Sequence, residues 1–74
     1  MSTTRIESEV NARVLRVEVA VGDTIAADDI VMMVESMKME IPVQAGAAGR
    51  VGAIHVAPGD TVEEGQLLAE LTTS

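Results

Sequence analysis

Seventy-four residues and 7.7 kDa suit one small domain, residues 1–74, with no room for a substrate domain beside a catalytic one. Hydrophobic residues make up 47% of the chain, yet it contains no Phe, Tyr, Trp or Cys. The core must therefore be aliphatic, and disulfides, Cys-based zinc sites and thiol nucleophiles are excluded. Twelve acidic residues against five basic ones give a net charge of −7, which argues against nucleic acid or an anionic membrane as partner. No apolar run could span a bilayer and no secretion signal follows Met1, so a soluble cytoplasmic domain is expected.

Eleven Val and five Ile against four Leu favour strands over helices. No window keeps helical apolar spacing for three turns without meeting Gly or Pro. In chain order, apolar and polar residues alternate over Val17-Glu18-Val19-Ala20-Val21, a strand pattern, and Gly22-Asp23 ends it in a turn. Thr24 to Asp29 is polar and expected to be loop. An apolar strand follows at Ile30–Val34. Ile30 to Val43 is too long for one ordinary strand of about 5–6 residues, so a hairpin is expected at Ser36–Met39. Local propensity opposes that turn, because Ser-Met-Lys-Met offers no Gly, Asn or Asp for a positive φ. Further on, Gly59-Asp60 marks a second turn and Thr61 to Gln66 a second loop. The chain reads as several short strands and essentially no helix.

An internal repeat organises these elements. Residues 12–35 align without gaps on 49–72, an offset of 37, with seven identities in twenty-four positions. Arg13 falls on Arg50, Val14 on Val51, Val19 on Val56, and Gly22-Asp23-Thr24 on Gly59-Asp60-Thr61. Ile25/Val62, Ile30/Leu67, Val31/Leu68 and Val34/Leu71 agree in character. Two copies are too few for a solenoid. They predict an all-β fold instead: a flattened barrel or sandwich of two pseudo-two-fold halves covering each other's apolar faces. The linker, roughly 36–48, then sits at one end and the chain termini at the other. Val14/Val51, Val19/Val56, Ile30/Leu67 and Val34/Leu71 are each expected to be buried together.

One residue count is sharper than the rest. Four of the basic residues are Arg and the only Lys is Lys38, which the topology puts on the hairpin tip. Around it stand Glu35-Ser36-Met37-Lys38-Met39-Glu40. Strand alternation would set Met37 and Met39 on one face, opposite Lys38. Met32 lies between Ile30 and Val34 and is expected in the core. Asp23 and Asp60 fit turns rather than a metal site. His55 aligns with Glu18 at an outward position, so no general base and no catalytic residue is in view.

This segment resembles the biotin-attachment motif of the biotinyl/lipoyl carrier domains, in which Met-Lys-Met surrounds the modified lysine. The resemblance spans nearly the whole chain, through the two Gly-Asp turns, the apolar strand entering the motif and a lysine midway between related halves. It implies a hammerhead-like fold and a non-catalytic biotin carboxyl carrier, a component of a biotin-dependent carboxylase system, with biotin in amide linkage to Lys38 and no metal. It implies as partners a biotin protein ligase, a biotin carboxylase and a carboxyltransferase. Amide formation needs a neutral amine, whereas a free lysine at pKa about 10.4 is almost wholly charged at pH 7. The activating base must then come from the ligase, which can select this amine only by its surroundings. Met37 and Met39 offer adaptable apolar contacts, and Glu35 and Glu40 can engage basic residues of that partner. The sequence departs from the family at Glu9 and Gly46, where prolines are usual, at Ala12 and Asp28, where glycines are, and at Ser36. Two alternatives stand beside this reading. Lys38 could carry lipoate, although lipoyl relatives show Asp-Lys-Ala at the tip, or the chain could be an unmodified β interaction module. Met1 and the absence of a linker lead one to expect a complete small protein.

Overall fold

The computed structural model describes residues 2–73. Eight strands follow in order: β1 (Ser2–Glu7), β2 (Ala12–Val17), β3 (Thr24–Ile25), β4 (Ile30–Ser36), β5 (Met39–Gln44), β6 (Gly49–Ile54), β7 (Thr61–Val62) and β8 (Leu67–Thr73). They form two four-stranded antiparallel sheets, β1-β8-β6-β3 and β5-β4-β2-β7. The fold is all-β, in two layers.

The two-fold relation appears rung by rung. β2 meets β4 at Arg13↔Glu35, Val14↔Val34, Arg16↔Met33 and Val17↔Met32. Adding 37 to each number gives the β6–β8 rungs, Arg50↔Thr72, Val51↔Leu71, Ala53↔Glu70 and Ile54↔Ala69. The same shift carries Ala12↔Val62 onto the Gly49↔Ile25 rung. It also relates β5 to β1: Ser36↔Met39 in one sheet answers Thr73↔Ser2 in the other.

Bulges recur in phase as well. Val31 and Leu68 are the extra residues where register slips against β5 and β1, which turns two consecutive side chains inward. Val31, Met32, Leu68 and Ala69 are accordingly all fully buried. With Val14, Val34, Val51, Val62 and Leu71 they form the centre of the aliphatic core. Met32 is a core residue. The turns are closed by carboxylates: Ala20 N–H donates to Asp23 Oδ2 and Ala57 N–H to Asp60 Oδ2, each at 2.9 Å. That is the task of both aspartates.

Four expectations need correction. The alternating segment leaves the sheet beyond Glu18, whose N–H still bonds the Val31 carbonyl: Ala20 N–H turns to Asp23 Oδ2 and Gly22 N–H to the Val51 carbonyl of the other sheet; Val21 is exposed. Thr24–Ile25 and Thr61–Val62 are short strands rather than loop, anchored by the buried Ile25 and Val62. Ile30 is 39% exposed and Leu67 only half-buried, since both precede the bulge that directs the next two residues inward; Val19 and Val56, beyond the ends of their strands, are half-buried too. Finally, the sheets do not close into a barrel. No Cα of β1 lies within 8 Å of one in β5, and a groove of about 410 Å³ floored by Ile6, Val34, Ile41 and Val43 runs between these edges. The fold is a sandwich with an open seam.

Shape places the hairpin. The molecule measures 36 × 18 × 17 Å. β2 starts beside Glu35, near the β4–β5 turn, and runs away from it to Gly22 and Asp23, which bond Val51. Val51 faces Leu71, two residues before Thr73. The hairpin and the Ser2–Thr73 rung therefore lie at opposite ends of the long axis. Met1 and Ser74, whose placement bears on the expected position of the termini, lie outside the described residues.

Candidate functional site

Met37 and Lys38 are the two central residues between the Ser36↔Met39 rung, with φ of +54° and +65°. Both occupy the left-handed region, so this is a two-residue hairpin of the I′ kind, whose twist matches that of the flanking strands. A side chain there costs roughly 1–2 kcal/mol per residue. The turn holds because three rungs below it, Ser36↔Met39, Glu35↔Glu40 and Val34↔Ile41, fix its ends and Val34 anchors them in the core. Topology overrides propensity at this tip.

The turn sets Met37, Lys38 and the adjoining Met39 in solvent. Met37 is 91% exposed and Met39 64% exposed, the two most exposed large apolar residues among those described. Neither fills the core. Because Met37 is inside the turn, strand alternation does not order it against Lys38. Lys38 is exposed and has no ion pair or side-chain hydrogen bond among the described residues. Every arginine has a partner: Arg5 pairs with Glu7 at 3.2 Å, Arg13 with Glu35 at 3.6 Å and Arg16 with Glu18 at 3.3 Å. Arg50 donates to the Gly22 carbonyl at 3.3 Å.

Just below the tip, Glu35 and Glu40 stand directly opposite one another on β4 and β5, an arrangement of like charges that opposes strand pairing. Arg13 and Arg16 on β2 offset it, the first at 3.6 Å from Glu35 and the second at 3.8 Å from Glu40. The structure thus gathers Glu35, Met37, Lys38, Met39 and Glu40 at one end and adds Arg13 and Arg16 beneath them. The arginines escaped the sequence reading because their position depends on the β2–β4 register; an Arg pair on the strand before an acid-flanked lysine is the only signal. His55 sits on the outer face of the other sheet, paired with Glu70.

The family model described as biotin-requiring enzyme matches residues 2–71. The chain belongs to this family. Among curated members, the biotinylated protein TB7.3 homolog of Mycobacterium leprae is 45% identical over 67 residues, covering 90% of this chain and 94% of the relative. The biotin carboxyl carrier protein of Streptococcus mutans is 49% identical over 55 residues, 74% of this chain but 42% of that protein. Among solved structures, the urea carboxylase of Kluyveromyces lactis matches 97% of the chain with a TM-score of 0.91 and 36% identity, within 6% of its own length. The chain thus spans nearly the full length of one relative named as biotinylated and matches a small part of a far larger enzyme.

Proposed function

We propose that this protein is a biotin carboxyl carrier, loaded at Lys38 by a biotin protein ligase and then presented to a biotin carboxylase and a carboxyltransferase. One observation carries the reading. In a chain of the biotin-requiring family, the only lysine stands on a constrained hairpin tip between two exposed methionines, without an ion pair among the described residues. The residues fit the group: an amine free of ion pairs needs no partner displaced before it is acylated, and the 36 Å body keeps it clear of the opposite end. Bound biotin supplies a ureido nitrogen that takes up and releases a carboxyl group.

The chain's own residues have narrower tasks. The I′ turn limits where the Lys38 stem can start, Met37 and Met39 give a partner apolar surface to cover, and Glu35 and Glu40 give it fixed negative charge. Loading removes the Lys38 cation and takes the formal net charge from −7 to −8. In this reading the chain carries the group and its partners catalyse. Tethering presents the cofactor at effective concentrations of order mM.

The same scaffold serves lipoyl carriers, so fold does not choose between them; Met37 and Met39 in place of Asp and Ala favour biotin. The test is reconstitution. Protein loaded by a biotin protein ligase should accept labelled bicarbonate carbon from a biotin carboxylase with ATP, and Lys38→Arg protein should not. Equal labelling of both would remove Lys38 from the function.

A further inference from the structure

We propose that Met37 and Met39 are a reversible oxidation site, whose conversion to methionine sulfoxide by a hydroperoxide suppresses loading of Lys38. The proposal rests on the reading of Lys38 as the biotin acceptor.

The chain has no Cys, Trp or Tyr, so peroxide has the thioethers as its targets. The fold sorts the four among the described residues, Met1 lying outside them. Met32 is fully buried and Met33, on the outer face of β4, is half-buried, whereas Met37 and Met39 are 91% and 64% exposed. The exposed pair are the residues on either side of Lys38. Among the described methionines, reactive sulfur is thus concentrated where a ligase must make contact.

The chemistry is self-contained. A sulfur lone pair attacks one peroxide oxygen, the S–O bond forms as the O–O bond breaks, and the departing oxygen takes a proton to leave as water or an alcohol. Sulfur loses two electrons and the peroxide gains them. A sulfoxide reductase reverses the step with two thiols, which become a disulfide as the oxygen leaves in water. The product is a polar, strongly accepting S=O where an adaptable apolar side chain stood. A partner surface shaped for thioethers then buries an unpaired acceptor, which is expected to lower loading about tenfold or more. Folding should be untouched, because both side chains project into solvent from the turn.

The experiment treats unloaded protein with hydrogen peroxide, maps sulfoxides by fragment-ion mass spectrometry, and measures biotin transfer by a biotin protein ligase. Three samples are compared: treated, untreated, and treated then repaired with methionine sulfoxide reductases. A Met37→Leu/Met39→Leu variant is scored only by its own treated-to-untreated ratio. The expected result is oxidation of Met37 and Met39 well ahead of Met32, an unchanged melting temperature and a loading rate about tenfold lower. Repair should restore that rate, and the variant's ratio should stay near one. Oxidation led by Met32, equal loading of treated and untreated protein, or a loss that repair does not reverse would overturn the proposal. Untreated protein that takes up no biotin would instead overturn the reading of Lys38, and this proposal with it.

Discussion

Replacing Met37 by Asn should make the protein more stable and a poorer ligase substrate at once. At φ +54° a Met side chain meets the steric penalty of the left-handed region, about 1–2 kcal/mol, while Asn tolerates that region through local hydrogen bonding and is favoured at I′ positions. Little packing is lost, since Met37 is 91% exposed. The expected gain is about 1 kcal/mol. For a domain this small that raises Tm by roughly 4–8 °C, or moves a urea midpoint by about 1 M when m is about 1 kcal/mol/M. Met37→Ala is the control: it removes the same side chain and keeps the penalty, so its Tm should stay near that of the parent. Thermal and urea unfolding of the three proteins, followed by far-UV circular dichroism, gives the comparison. Biotin transfer should fall in both variants. A Tm for Met37→Asn at or below that of Met37→Ala would refute the argument that the tip is held in strain by the rungs beneath it.

Three further outcomes follow from the same geometry. Arg13→Gln or Arg16→Gln leaves Glu35 facing Glu40 with less compensation; each should destabilise by less than about 1 kcal/mol, and adding Glu40→Gln should recover part of it in a double-mutant cycle of urea midpoints. Val14→Ala and Val51→Ala, fully buried two-fold mates, should each lower stability by about 1–3 kcal/mol and by similar amounts, measured the same way. Gly49→Ala should destabilise more than its position in a strand suggests. A Cβ there would lie 2.8 Å from the Thr72 carbonyl oxygen and 3.0 Å from Thr73 Cγ2, although the mate of Gly49 in the other half is Ala12.

Much of this fold was legible because it is written twice. The pairs Val14/Val51, Val31/Leu68 and Val34/Leu71 share both an apolar character and a fully buried position, and Gly22-Asp23 and Gly59-Asp60 close equivalent turns. Periodicity alone was a weaker guide. It extended a strand through Val21, where the Asp23 turn and the bond from Gly22 to Val51 carry the chain to the other sheet. It also treated Ile30 as the equal of Val31, since a bulge has no sequence mark of its own. β3 and β7 are two residues each, too short for any alternation, and exist because Ile25 and Val62 reach the core. β1 is mostly polar, Ser-Thr-Thr-Arg-Ile-Glu, and its strand character lies in its pairing with β8.

The site divides in the same way. Lys38 and its methionines stand out from composition and motif, and the hairpin follows from length against ordinary strand size. The I′ conformation of Met37 and Lys38 contradicts their propensities and is imposed by the paired strands. Arg13 and Arg16 required the register to be known, since twenty-two and twenty-four residues separate them from Glu35 and Glu40 respectively.

The central claim, that Lys38 is the single point at which this chain carries biotin, meets its most direct test in intact mass. Protein produced together with a biotin protein ligase should gain the mass of one biotinyl group, fragmentation should place it on Lys38, and Lys38→Arg protein should gain nothing, because a guanidinium is not a nucleophile at neutral pH. A lipoyl increment on the parent, a second biotinyl group, or a biotinyl group surviving in Lys38→Arg would contradict the account.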